Sequence, residues 1–316
     1  MKKIFALALL MSLSAAAGAQ GYPAKVVRIV VPYPAGTGPD NVGRLVAQYF
    51  QESLGQPFII ENRPGALANV GTGEVARATP DGYTLLFTTN TPHGANPALF
   101  KALPFDPVKD FAPIGRIIST SMIMLVKSDY PANTLKEFSA YARSKPGGVT
   151  AGYGSAGAQV SIAKVRAFGK FKSVDVPYKG VAMAVADVLS GQVDFSFADY
   201  AVGLGQIKGG KLKGIGVTAL QRTPLAPNLP AFAEDVPGFD VSLWYGLVAP
   251  AGTPREIVNK LYETLARGLN RPEIKGRLAD TGLEVSTIGP EPFGEFIKAE
   301  IAKWARDARE AGMQPE

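Results

Sequence analysis

Apolar positions along the chain fall into short β-branched runs that alternate with longer stretches of helical spacing. The first run, residues 25–32, reads as a buried strand. A loop rich in Gly and Pro follows, Tyr33-Pro34-Ala35-Gly36-Thr37-Gly38-Pro39-Asp40. Val42, Leu45, Val46, Tyr49, Phe50 and Leu54 then recur at helical spacing, and Gly55 is placed to end that helix. Residues 56–61 predict a second strand, 69–78 a helix, Pro80-Asp81-Gly82 a turn, and 83–88 a third strand. Strands alternating with helices imply a parallel sheet with helices on its faces.

Residues 114–127 form one long β-prone stretch, after which the rhythm restarts. Thr134-Leu135-Lys136-Glu137 reads as a capping box opening a helix to about Ser144. A strand at 150–153 leads into Gly154-Ser155-Ala156-Gly157 and a helix to about Phe168. Strands at 174–177, 193–197 and 212–218 follow, with a helix at 181–190 closed by Gly191. A strand returns at 241–249, and Thr253-Pro254-Arg255-Glu256 reads as a second capping box. Three helices close the chain, near 254–269, 272–281 and 291–312. The pattern divides the chain into an α/β block at 22–118 plus 242–316 and a second at 119–241, each a mainly parallel sheet flanked by helices. The tail is expected to pack on the first block. Two crossings then leave a cleft between the lobes, where small ligands tend to sit.

Composition narrows the chemistry. The chain of 316 residues has no Cys and one His, His93. Disulfides, thiolate metal sites and a Cys nucleophile are thereby excluded, and a multi-histidine metal centre with them. No cofactor is expected. Lys2 and Lys3, an apolar run to Leu13 and Ala15-Ala16-Ala17-Gly18-Ala19 form an export signal, 1–19, cleaved after Ala19. The run is shorter than a bilayer span needs. Export without disulfides fits a Gram-negative periplasm. The formal charge is +6 with Lys and Arg scattered, so a nucleic-acid groove is not expected.

Each block carries one Gly-rich loop between a strand and a helix, 33–40 and 153–157. Such loops sit at the carboxyl end of a parallel sheet, where open α/β folds bind ligands. The following helix offers free amides and the positive end of its dipole, suited to a carboxylate. Two ordinary turns are the plainer reading. A serine hydrolase is disfavoured, because Tyr153 stands where a nucleophile elbow needs Gly and His93 precedes Ser155. His93 either lines the cleft or is a solvated loop residue. Trp244 is expected in the core or at the hinge.

The residues then resemble a known family. Val31-Pro32-Tyr33-Pro34-Ala35-Gly36 with Asp40, Glu61-Asn62-Arg63-Pro64-Gly65-Ala66 and Ala78-Thr79-Pro80-Asp81-Gly82-Tyr83 stand in the first half. Tyr153-Gly154-Ser155-Ala156-Gly157, Val176-Pro177-Tyr178-Lys179-Gly180, Gly191-Gln192-Val193-Asp194 and Trp244-Tyr245-Gly246-Leu247 follow. In this order they are similar to the Bug family, the extracytoplasmic solute receptors of tripartite tricarboxylate transporters. The resemblance implies a two-lobed, type II-like periplasmic binding protein, not an enzyme, that closes on a small organic carboxylate. It implies membrane permease subunits as partners; a ligand-presenting sensor subunit for a membrane signalling protein is the alternative. A monomer is expected. It further implies that Tyr33, Ala35, Gly36, Thr37, Thr89 and His93 hold one ligand carboxylate, largely through ordered waters. Gly154, Ser155, Ala156, Gly157, Tyr178 and Lys179 would reach the ligand's other end, with the Tyr178 hydroxyl as a donor and Lys179 equally a surface charge, and Asp199 falls in the family's Phe-Ala-Asp or Phe-Asp stretch beside the cleft. The sequence departs from the family pattern at Gly38-Pro39, after Gly157 and across 168–176, which leaves the ligand's identity open.

Overall fold

The computed structural model describes residues 21–178, 180–310 and 312–315. The predicted export signal and Lys179 lie outside them. The β-branched runs become strands. β1 (Val27–Val31) buries every residue except the partly exposed Arg28, which pairs with Glu61 at 2.7 Å and Glu74 at 2.6 Å. β2 (Phe58–Asn62) and β3 (Thr84–Thr89) flank it in parallel. β4 (Phe111–Thr120) runs straight through Ser121 into β5 (Met122–Lys127), so the single β-prone stretch is two strands belonging to two sheets. β6 (Val149–Tyr153), β7 (Ser173–Pro177), β8 (Phe195–Asp199) and β9 (Leu212–Val217) complete the second sheet. β10 (Leu243–Pro250) and β11 (Glu284–Ile288) return to the first.

The strand orders are β11-β4-β10-β3-β1-β2 and β7-β6-β8-β5-β9. Each sheet keeps a parallel trio, β2-β1-β3 and β7-β6-β8. The other pairings are antiparallel, so the sheets are more mixed than strand–helix alternation predicted. Every antiparallel pairing involves β4, β5 or β10, the strands by which the chain passes from one sheet to the other and back.

Helix ends follow the local chemistry. The helix Gly38–Leu54 buries Val42, Leu45, Val46 and Phe50, and Gly55 ends it at φ +74°, a conformation in which other residues are strained. Thr134 caps the helix Leu135–Ser144 by accepting from Glu137 N at 3.2 Å, while Glu137 accepts from Asn133 N at 2.7 Å. The second predicted capping box does not form. Thr253 Oγ1 donates to Pro250 O at 2.8 Å and closes a turn instead.

The lobes are joined at a stitched hinge. Buried Thr218 accepts from Met122 N at 2.9 Å and donates to Val241 O at 2.8 Å, tying the outgoing strand to the returning one. The helix Arg255–Leu269 packs Ile257, Leu261 and Leu265 on the first sheet, as expected of the tail. The last helix, Pro290–Glu310, does not stay there. Phe293 and Ile297 enter a first-lobe cluster with Trp244, but Trp304 enters the second-lobe core. Beside it, Asp307 meets Lys164 at 2.6 Å, both side chains mostly buried. Among the described residues, no helix is long and apolar enough to cross a membrane.

Candidate functional site

The loop after β1 is held from beneath. Asp40 is 2% exposed and sits in the first turn of the helix Gly38–Leu54. It accepts from Gly36 N at 2.8 Å, Arg44 Nε at 3.0 Å and Asn62 Nδ2 at 2.9 Å. Asn62 also donates to Tyr33 O at 3.0 Å. Burial raises the Asp40 carboxyl pKa, but these donors outweigh burial and hold it below the ordinary range. Thr37 Oγ1 donates to Pro34 O at 2.7 Å, so the loop consumes most of its own polar groups. The first helical bond is Asn41 N to Thr37 O, which leaves the Gly38 and Asp40 amides at the positive end of the helix without an intrahelical acceptor.

Above this loop three hydroxyls gather. Tyr33 Oη lies 2.6 Å from Thr89 Oγ1, and Thr89 Oγ1 also accepts from Thr91 N at 3.1 Å. Tyr245 stands opposite Thr89 in the register of β10 with β3. Its hydroxyl crowds Gly38, where an added Cβ would lie 3.0 Å away. Burial raises the pKa of both phenols, and Asp199 and Tyr33 add to the rise at Tyr245, so both stay neutral and able to donate.

In the second lobe the matching loop lies beside the hinge strands. Ser155 caps the helix Ala156–Gly169, its Oγ accepting from Ala158 N at 3.2 Å. The hydroxyl hydrogen stays available to a ligand, as do the first-turn amides of Ala156 and Gly157. A Cβ on Gly157 would lie 3.1 Å from Met122 and 3.3 Å from Leu243, so this helix end abuts both hinge strands. Gly154 packs on the backbone of Gly180 and Val181 so closely that a Cβ would come within 2.2 Å. Asp199 ends β8 and caps the next helix, with Oδ1 accepting from Val202 N at 3.0 Å.

The structure brings Tyr33, Thr89 and Tyr245 together, with Asp199 near enough to act on Tyr245, while Ser155, Ala156 and Gly157 stand at a second-lobe helix start against Met122 and Leu243. Ala35 and Gly36 are exposed at the loop tip and Thr37 is half-buried. Two expectations change. His93 lines no cleft and is no solvated loop residue: it is 0% exposed in the π-helical turn Thr91–Ala95. Its ring packs against Phe111 and Phe105 at 4.6 and 6.3 Å, its Nδ1 lies 2.7 Å from Thr88 Oγ1, and burial lowers its pKa to about 3. The Tyr178 hydroxyl donates to Asp187 Oδ2 at 2.6 Å, so its proton is not offered to a ligand. Sequence reasoning did not single out Tyr245, which stands beside the Tyr33–Thr89 pair, nor Asp40 and Asn62 as supports of the loop. The signal for the supports was the pairing of a Gly-rich loop with an acid at its helical end. Tyr245 stood in the matching stretch Trp244–Leu247, but its place opposite Thr89 is decided by strand register.

A concavity of about 630 Å³ lies elsewhere, against the first lobe, lined by Pro107, Phe111, Pro113, Arg255, Val258 and Ile297 among others. Its charged rim is already paired, Arg255 with Glu291 and Lys298 with Glu295. It offers a carboxylate less than the cleft does. Among the described residues, no group of His, Asp and Glu is placed to hold a metal ion.

Comparison with known proteins adds the context. Residues 42–313 match the model of the tripartite tricarboxylate transporter family receptor. The structure of the periplasmic binding protein BugD is 33% identical and superposes with a TM-score of 0.82, over 93% of this chain and 100% of that one. The structure of R. palustris Rpa4515 with adipate is 30% identical, with a TM-score of 0.86 over 93% and 100% of the two chains. MatC from Rhodopseudomonas palustris with bound malate is 32% identical, with a TM-score of 0.78 over 90% and 99%.

Proposed function

The chain belongs to the tripartite tricarboxylate transporter receptor family, and from that premise we propose that it captures a small organic carboxylate in its interlobe cleft and presents it to membrane permease subunits of a tripartite transporter. Membership makes it a solute-binding protein rather than an enzyme. The observation that carries the carboxylate reading is the Tyr33–Thr89 hydroxyl pair beside Tyr245 and the start of the helix Gly38–Leu54; on this reading the start of the helix Ala156–Gly169 faces it across the cleft. Neutral hydroxyls and helix-end amides favour an anion without a full positive charge. Such a site accepts a carboxylate directly or through bridging water, which costs little affinity. The adipate and malate held by two relatives support the same class. The ligand-binding set is then Tyr33, Ala35, Gly36, Thr37, Thr89, Gly154, Ser155, Ala156, Gly157, Asp199 and Tyr245, with Tyr178 as wall. The export signal read at 1–19 supports a periplasmic location.

Thermal unfolding of the chain from Gln20 to Glu316, refolded to strip carried solute, tests this against small carboxylates and matched neutral amides. A ligand at one hundred times its Kd stabilises by about 2.7 kcal/mol, a rise of several degrees. A shift with acids alone is expected. No shift with any acid sinks the carboxylate reading. Capture of permease subunits from detergent-solubilised membranes, dependent on that ligand, tests the transport role.

A further inference from the structure

The hinge carries a further polar group, apart from the ligand-facing loops. Thr223, in the loop after β9, donates from Oγ1 to Glu284 Oε1 at 2.7 Å, a bond from the second lobe to β11 of the first. Thr223 is buried and Glu284 is exposed. Thr223 Oγ1 also accepts from Leu225 N at 3.2 Å, which fixes it within its own loop. Tyr200 Oη lies 2.8 Å from Oγ of Ser121, the residue between β4 and β5, and both are buried. These four residues line one groove of about 340 Å³, which takes in none of the loops 33–40, 89–93 or 153–157.

Strand register tells which side of the hinge the groove is on. Side chains alternate along a strand, and directly paired residues point the same way. Glu284, Ser119 and Trp244 form one row across β11, β4 and β10. Val285, Ile118, Tyr245 and Thr89 form the next row, on the opposite face. Alternation from Ile118 to Met122 keeps those two on one side and sets Ser119 and Ser121 on the other. Packing agrees: Ile123 shares a cluster with Tyr200, whereas Met122 lies in the other second-lobe core and is what a Cβ on Gly157 would meet. The Tyr33–Thr89–Tyr245 group and the start of the helix Ala156–Gly169 therefore stand on one side of the hinge, and the Thr223–Glu284 bond on the reverse. Rotation that narrows one side of a hinge widens the other. We infer that the Thr223–Glu284 bond is a stay behind the hinge, which holds the lobes apart in the solute-free chain, opposes their closure and is given up when they close. A bond made in the open arrangement alone lowers the apparent affinity for whatever the closed one holds. The inference rests on the interlobe-cleft reading above.

The test reads lobe separation directly. The chain has no Cys, so nitroxide labels attach only at Gln51→Cys and Lys208→Cys, exposed positions on the helices Gly38–Leu54 and Tyr200–Lys208 of the two lobes. Their separation is measured by pulsed electron spin resonance in the solute-free labelled chain. The measurement is repeated with Thr223→Val and Glu284→Ala, singly and together, and thermal unfolding verifies each fold. Shorter separations are expected in all three variants, with no further change in the double, since both substitutions remove the same bond. Calorimetric titration with adipate and malate, the acids held by two relatives, should show Kd lowered about twofold to tenfold. Unchanged or longer separations, additive shifts from the two substitutions, or unchanged or weaker binding of an acid that the native chain holds, each overturn the inference. The separations need no solute, so they decide it even where neither acid binds, an outcome that counts against the carboxylate reading alone.

Discussion

The two lobes hold their ligand-facing loops by different means. In the first lobe, Asp40, Asn62 and the Tyr33–Thr89 pair fix the loop through buried polar side chains. In the second, the loop at Gly154 is fixed by backbone lying on backbone, with Ser155 and Asp199 attached only as caps. A side-chain network specifies one geometry and resists change, since removing any member leaves the others unsatisfied. Backbone packing fixes the loop's position but leaves the cap side chains exchangeable, because several residue types cap equally well. On the proposed function, the first lobe is a constant platform for one carboxylate. The second is where the rest of the ligand is discriminated.

Four experiments can break or sharpen that contrast. The largest effect is expected from Asp40→Ala, which strands the Gly36 amide, Arg44 and Asn62. It should cost about 3 kcal/mol in urea unfolding and weaken binding of every carboxylate alike; selective weakening would end the idea of a constant platform. Gly154→Ala forces a Cβ into the backbone of Gly180. A loss of about 1–3 kcal/mol is expected, with binding impaired through the second lobe, and a variant of native stability and affinity would show that the loop has room to move.

A third test concerns His93, whose folded pKa of about 3 lies below its ordinary 6.5 because of burial. The unfolded chain takes up a proton that the folded one refuses, so this contribution to stability is intact above 6.5 and erodes as pH falls toward about 3. The slope should be about 1.4 kcal/mol per pH unit within that window. It should vanish in His93→Gln, while ligand affinity measured between about pH 6 and 8 shows no His titration; an affinity that follows a pKa near 6.5 would return His93 to the site. The smallest effect is expected from Tyr178→Phe. It removes the bond to Asp187 and should cost about 1 kcal/mol of stability or less, with affinity unchanged. A clear loss of affinity would mean that the hydroxyl turns to the ligand on closure.

Much of the fold was legible from pattern. Strands such as Val27–Val31 are apolar on both faces, and a run like that is hard to place anywhere but inside a sheet. Gly55 and Gly191 mark helix ends because both sit at positive φ. β11 was not legible: Glu284–Ile288 is short and only partly buried, and its pairing with β4 depends on residues far away in sequence. The span of the last helix was hidden for a related reason. The spacing of Phe293, Ile297 and Trp304 predicts an apolar stripe but says nothing of which cores that stripe meets. At the site, the Gly-rich loops were visible as backbone chemistry. Tyr245 and His93 were not, because register decides one and a buried π-helical turn decides the other.

The last helix has a mechanical consequence. Two neighbouring strands alone make a joint that can both bend and twist. The helix Pro290–Glu310 sets Phe293 in one body, Trp304 against Gly94 of that body and the second-lobe core together, and Asp307 on Lys164 of the other, and it lies along the returning strand, where Trp244 Nε1 donates to Glu300 at 3.0 Å. A third link between the bodies, beside the two strands, resists torsion of one against the other. On the proposed function, a permease touching both bodies would meet them held at a more uniform angle than two strands alone would give.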